Sequence, residues 1–461
     1  MKTPRTVMIA LAALTIALAN PAALRADGSS TPMGTNAVAH DLLVVRTGTV
    51  YGSLTILPTG SGQATRNLPS GLFDRGGHIL YAAFPQGSGD SLIEAIDGRS
   101  GRVLRSATVQ GYYSTMPGSL TPGALLDGGA GANAARFAWP AMAGAARITQ
   151  ALPGVPPVDS ADILSALSYN GRWLALRDAT PNTPDTAVVV IDTARMRVAA
   201  TPRLHGAFGL DAIDNAGTRL YLVQKRDNAG PQAYQVRVYD LRARSLDQTP
   251  LTEPDDPTGI IRGVAYTRAW SPHGDWLYTL YVRPGKGGAF VHALGVAYHK
   301  VHCIMLPTEV TTGIASTRDA LAVSPDGATL YAVNPVLGRM VVVHDLPYGR
   351  VTQTGLDRHA GTRQSMERAG ALSRDGRTMF VATDGGIWAV DTATRRVRTV
   401  YARGEQVASI ALGGNGQRLY ALEPTRGRIE ALDAASGRTL ARIQVTAAMG
   451  APWAIEQVMS A

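Results

Sequence analysis

One small pattern recurs seven times along this chain: an apolar run, a polar turn closed by glycine, then a second apolar run led by Leu or an aromatic residue. The first copies are Phe73-Asp74-Arg75-Gly76-Gly77-His78-Ile79-Leu80-Tyr81 and Leu167-Ser168-Tyr169-Asn170-Gly171-Arg172-Trp173-Leu174. Ile213-Asp214-Asn215-Ala216-Gly217 leads to Leu220-Tyr221, and Trp270-Ser271-Pro272-His273-Gly274 leads to Leu277-Tyr278. Val323-Ser324-Pro325-Asp326-Gly327, Leu372-Ser373-Arg374-Asp375-Gly376 and Leu412-Gly413-Gly414-Asn415-Gly416 complete the set. Asp-Gly and Asn-Gly supply the positive φ that a tight turn demands, so each copy reads as a β-hairpin. The glycines at 171, 217, 274, 327, 376 and 416 stand 46, 57, 53, 49 and 40 residues apart. Self-similarity at that period means a radial or stacked architecture.

Each hairpin is followed by an apolar strand ending in Asp, then a short turn and another strand. The aspartates are Asp97, Asp192, Asp240, Asp345, Asp391 and Asp433, which fall 15 to 23 residues past the turn glycine. A carboxylate at the head of a turn caps the backbone amides two residues on, so these read as turn residues and not as catalytic acids. The fourth module departs from the pattern, with Leu294-Gly295 where the Asp belongs. Four short strands per module make one blade of an all-β single β-propeller. Leu42–Arg46 and Leu54–Leu57 look like second and third strands without a first, and Pro452–Val458 looks like a first strand alone. Pairing the N- and C-terminal strands makes an eighth blade and removes the exposed edges; seven blades are possible if one module is misread. The step from Gly76 to Gly171 is 95 residues, and the Gly/Pro/Ala-rich span 111–162 reads as an insertion.

Motifs such as Val323-Ser324-Pro325-Asp326-Gly327-Ala328-Thr329-Leu330-Tyr331-Ala332-Val333 and Leu432-Asp433-Ala434-Ala435-Ser436-Gly437-Arg438-Thr439 resemble bacterial YVTN/WD40-like β-propeller repeats over roughly residues 38–459, the insertion excepted. The resemblance implies the fold and little about activity, because such propellers serve as binding scaffolds, lyases, lactonases and dehydrogenase subunits.

Lys2 and Arg5 precede a largely apolar stretch, Val7–Ala19, too short to cross a bilayer of ~30 Å at 1.5 Å per residue. Residues 1–26 therefore read as a signal peptide, 27–37 as a flexible segment and 38–461 as the propeller. The expected product is secreted or periplasmic, monomeric and without a membrane span. A single cysteine, Cys303, excludes a disulfide framework and a c-type haem motif. The net charge of +9 falls to +6 when cleavage after Ala26 removes Lys2, Arg5 and Arg25. The remaining Arg residues are scattered over turns rather than clustered with aromatics, which argues against nucleic acid.

No Gly-x-Ser-x-Gly motif occurs. Quinone-cofactor propellers share the Asp-x-x-Ser-Gly-Arg type of turn, as at Asp97–Arg102, but carry a regular Trp in each blade, which the six tryptophans here do not. The densest set of potential ligands is His292, His299, His302 and Cys303. His292 and His302, on neighbouring strands, are expected to face one another. Such a pair could bind zinc or copper, yet His302 and Cys303 point to opposite faces of their strand, so all four cannot converge. The reading is a cross-strand pair beside a buried thiol, with no metal and no cofactor.

Propeller ligands usually sit on the face built by the loops between second and third strands. The candidates there are Arg177, Asp178, Gln224, Lys225, Arg226, Asp227, Arg283, Asn334 and Glu423, a mixture suited to a sugar or a carboxylated ligand. The function expected is an exported scaffold that binds a protein or cell-envelope ligand on one face. The alternative is an enzyme of lactonase or lyase type acting at the channel mouth.

Overall fold

The hairpin turns are built by side chains that complete what the glycine begins. In the computed structural model, Ser168, Ser271, Ser324 and Ser373 each accept at Oγ from the backbone N–H five residues on, at 2.9–3.0 Å. Asp74 and Asp214 do the same work with a carboxylate, accepting from His78 and Thr218 N–H at 2.7 Å. The turn glycines 171, 217, 274, 327, 376 and 416 all have φ between +67° and +77°, the left-handed region that favours glycine. In the first copy that role falls to Gly77 (φ +71°), not Gly76.

The structure describes residues 41–47, 54–61, 64–86, 89–115, 164–178, 185–226, 229, 232–283, 288–307, 315, 318–361, 369–445 and 452–459. These form eight antiparallel sheets of four main strands, the blades of an eight-bladed β-propeller. Blade 1 is composite: Pro452–Met459, Leu42–Thr47, Leu54–Pro58 and Arg66–Leu68, in that order across the sheet. Blades 2 to 8 follow the chain as 72–110, 165–205, 208–262, 264–305, 320–355, 370–401 and 409–444.

Closure follows the expected pairing. Leu43 lies opposite Val458, Val45 opposite Ile455 and Arg46 opposite Ala454, with bulges after Val44 and Arg46. The seam is sealed by Leu43, Val45 and Ile455, all fully buried, and by Arg46 Nε, which donates to Glu456 Oε1 at 2.5 Å. The sequence segments 1–26 and 27–37 lie outside the described residues, as does 116–162 of the expected insertion. At its described edge, Tyr113 is buried and bridges to Asp178.

The apolar residues on the two faces of each blade pack against the neighbouring blades, so the core is eight clusters, one in each seam. Five of the six aspartates after the third strands, Asp97, Asp192, Asp240, Asp391 and Asp433, cap turns as expected, whereas Asp345, itself at φ +53°, shows no such bond among the described residues. Asp391 Oδ1 accepts from Ala393 and Thr394 N–H, and Asp433 Oδ1 from Ser436 N–H and Oγ. These hydrogen bonds hold Asp97, Asp240, Asp391 and Asp433 below the usual carboxylate range. No described helix is long and apolar enough to cross a membrane.

Candidate binding site

Turns between second and third strands, together with the segments leaving the fourth strands, form one face of the ring, here the upper face. Arg177, Lys225, Arg226, Arg283, Asn334 and Glu423 stand at or just past the ends of second strands in five different blades, as the sequence indicates. Asp227 lies outside the described residues. The structure distributes these positions around the rim and ties several of them locally. Asn334 is fully buried; its Nδ2 donates to Ala315 O at 2.8 Å and its Oδ1 accepts from Leu337 N–H at 2.9 Å. Glu423 is also buried and accepts from Arg428 Nε at 2.7 Å, while burial raises its pKa. Gln224 accepts from Arg237 in its own blade, and the Arg283 guanidinium lies 4.9 Å from the Phe290 ring centroid. Asn334 and Glu423 thus brace their turns from beneath.

The histidine–cysteine cluster needs a correction. The two strands pair Gly295 with Lys300, which sets His292 opposite Cys303 and Ala293 opposite His302. Side chains alternate across a strand, so His292 and His302 project from opposite faces and do not face one another. His292 Nδ1 lies 3.7 Å from Cys303 Sγ, and its burial lowers its pKa, which keeps the imidazole neutral. His302 Nδ1 instead meets Glu253 Oε2 at 2.8 Å, while Glu253 Oε1 accepts from Cys303 N–H at 2.8 Å. Glu253 therefore satisfies the outer edge of blade 5, the place where an unpaired N–H would otherwise recruit another strand.

The upper face has one marked irregularity. Blade 7 joins its second and third strands by two residues, Asp384-Gly385, whereas the other blades use four to seven. The short turn requires glycine next to it: Gly386 has φ +123°, and a Cβ there would stand 2.4 Å from Tyr401 O. Two flanking segments are tied to the turn, Asp384 N–H donating to Gly361 O (2.9 Å) and Gly404 N–H to Gly385 O (3.1 Å). The first segment is also anchored to blade 6, through Ala360 N–H to Pro335 O (2.9 Å) and His359 Nδ1 to Val336 O (3.2 Å).

The result is a notch of about 330 Å³ in the seam of blades 6 and 7. Thr383, Trp388 and Val400 line it deeply, and Arg358, His359 and Arg403 stand exposed at its rim. Neither arginine side chain makes a hydrogen bond or ion pair among the described residues. By contrast, neighbouring Arg426 and Arg428 are neutralised by Glu405 and Glu423. The sequence reading missed this site because its parts come from three separate segments. The available signal was the Asp384-Gly385-Gly386 turn two residues before a tryptophan.

No protein-family model and no curated protein sequence matches the chain. Its fold is similar to that of apo AztD from Citrobacter koseri, with 12% identity over 91% of this chain and 98% of that one, at a TM-score of 0.53. A second Citrobacter koseri AztD structure matches at 0.51, again with 12% identity, over 91% and 96% of the two chains. The dihydro-heme d1 dehydrogenase NirN in complex with DHE is more distant, at 13% identity and a TM-score of 0.47 over 93% of this chain and 76% of that one. At these identities the likeness is one of fold.

Proposed function

We propose that this chain is an exported β-propeller binding module that holds a carboxylate- or phosphate-bearing ligand of the cell envelope in the notch between blades 6 and 7. The observation that carries this reading is the pair of unneutralised arginines, Arg358 and Arg403, over the Trp388 and Val400 lining. A guanidinium offers a planar fork of donors matched to a carboxylate or phosphate, and the indole supplies an apolar surface for the rest of the ligand. A volume of about 330 Å³ lies at the lower end of ligand pockets, roughly 300–1,000 Å³, which suits a single acidic sugar or head group.

Export rests on the basic residues Lys2 and Arg5 followed by the apolar Val7–Ala19, and the scaffold role on the repeat's resemblance to YVTN/WD40-like propellers. A monomer fits this reading, because closure of the ring leaves no blade edge at the seam for a second chain to extend. The test is calorimetric titration of the full chain with glucuronate, muramic acid, glycerol phosphate and, as a neutral control, glucose. Saturable binding confined to the acidic probes supports the reading. Equal binding of glucose, or none by any acidic probe, overturns it.

A further inference from the structure

Blade 5 is the module in which Gly295 replaces the turn aspartate. The register places Gly295 directly opposite Trp276, the first residue of the second strand. The equivalent pairs elsewhere are Ile79 with Asp97, Trp173 with Asp192 and Thr378 with Asp391. A Cβ at Gly295 would stand 2.9 Å from Trp276 Cη2 and 3.0 Å from Cζ3. The missing side chain is therefore what lets the indole lie across the end of the third strand.

That indole is the centre of an aromatic corner on the lower face, opposite to the notch. Tyr298, from the turn after the third strand, has its ring 5.5 Å from that of Trp276 at an interplanar angle of 37°. Tyr348, from the corresponding turn of blade 6, stands perpendicular to the indole at 6.3 Å and 90°. The two tyrosines are 53% and 60% exposed, among the most exposed large apolar side chains of the described residues. Neither phenol hydroxyl makes a hydrogen bond among those residues. His302 packs against the Tyr348 ring at 4.9 Å and is held there by Glu253.

We propose that Trp276, Tyr298 and Tyr348 form a carbohydrate-binding subsite that takes a neutral pyranose. Ring faces are electron-rich and attract the C–H groups on the apolar face of a sugar, while the free phenol hydroxyls are placed to bond its hydroxyls. At 5.5 and 6.3 Å the rings are packed against one another, so they form one continuous platform whose outward tyrosine faces match a six-membered sugar ring. A peptide in extended or polyproline form needs a longer groove with successive pockets. Leaving Tyr298 and Tyr348 exposed to water has a cost, and the half-buried Trp276 can lie beside them only because residue 295 lacks a side chain, which gives the departure a purpose. The subsite does not depend on the notch or on its ligand.

The full chain should be titrated with cellohexaose, chitohexaose and mannohexaose, and with a proline-rich decapeptide, following tryptophan fluorescence. Saturable binding of at least one hexasaccharide is expected, weakened about tenfold or more by Tyr298→Ala and by Tyr348→Ala, since loss of one stacking ring has effects of that order. Both tyrosines are exposed, so the variants should keep the wild-type melting temperature. Arg358→Ala should leave saccharide binding unchanged. Absence of binding to all three saccharides, binding indifferent to both tyrosine variants, or binding of the peptide in their place overturns the proposal.

Discussion

Asp319 and Arg339 are sealed together beneath the upper face, with Asp319 Oδ2 3.4 Å from Arg339 Nη2 and side chains 0% and 3% exposed. Burial dominates this pair: it pushes the Asp319 carboxyl up to about 6, against the opposing pull of Arg339. The folded state therefore binds more protons than the unfolded chain between pH ~4 and ~6, and the contribution of Asp319 to stability falls as pH rises through that window. Asp319→Asn keeps the shape and removes the titration. Urea unfolding of both proteins at pH 4.5 and pH 7 should show wild type losing ground to the variant as pH rises, by on the order of 3 kcal/mol at most. A wild type that gains on the variant over that interval would mean that Arg339 outweighs burial.

Closure makes a second prediction. Truncation after Gly450 removes a strand whose Ala454, Ile455 and Met459 are buried, and leaves Arg46 without Glu456. The truncated chain should melt far below the full one or fail to fold. Glu456→Ala, which keeps the strand, should still be destabilised by up to about 3 kcal/mol through loss of the buried Arg46–Glu456 pair. Equal stability of truncated and full chains would remove the closed ring from the account.

Cys303 should be chemically inert in the folded protein. Burial, reinforced by the Glu253 carboxylate, raises its thiol well above the ordinary range, and the thiolate is the reactive form. Reaction with a disulfide reagent at pH 8 should be slow in native protein and rapid in urea. Glu253→Gln should hasten the native reaction, and the same rate in folded and unfolded protein would contradict the assignment.

Gly295→Asp restores the aspartate of the other repeats but places its Cβ about 3 Å from the Trp276 indole. The ring has to move, so tryptophan fluorescence should change and the melting temperature fall, although an aspartate at this position caps the turn in sister blades. A variant with native fluorescence and a raised melting temperature would show that the indole is not held by the missing side chain.

Much of the architecture was legible because it is written in local turn chemistry. The Ser and Asp side chains that close the hairpins, the aspartates that cap the outer turns and the orphan strands at 42–46 and 452–458 each announce themselves within a few residues. What was not legible depends on relations between segments. His292 and His302 were misplaced because a four-residue turn at 296–299, with His299 at φ +57°, fixes the register. A slip of one residue moves a side chain to the other face. The notch escaped notice because it arises from a difference in turn length between neighbouring blades, and Arg358, Trp388 and Arg403 belong to different strands and exits. The departure at Gly295 was visible in the sequence, but its purpose was not, since Tyr348 comes from the next blade.

The binding reading stands on Arg358 and Arg403, and charge reversal tests it most directly. Calorimetric titration of glucuronate and glycerol phosphate into wild type, Arg358→Glu, Arg403→Glu and the double variant should show saturable binding to wild type by at least one probe. Each single variant should weaken it about tenfold or more, the worth of one charge-assisted hydrogen bond, and the double variant should abolish it. All four proteins should melt together, because both side chains are exposed and unpaired. Binding that survives the double reversal, or a wild type that binds neither anion, would contradict the account.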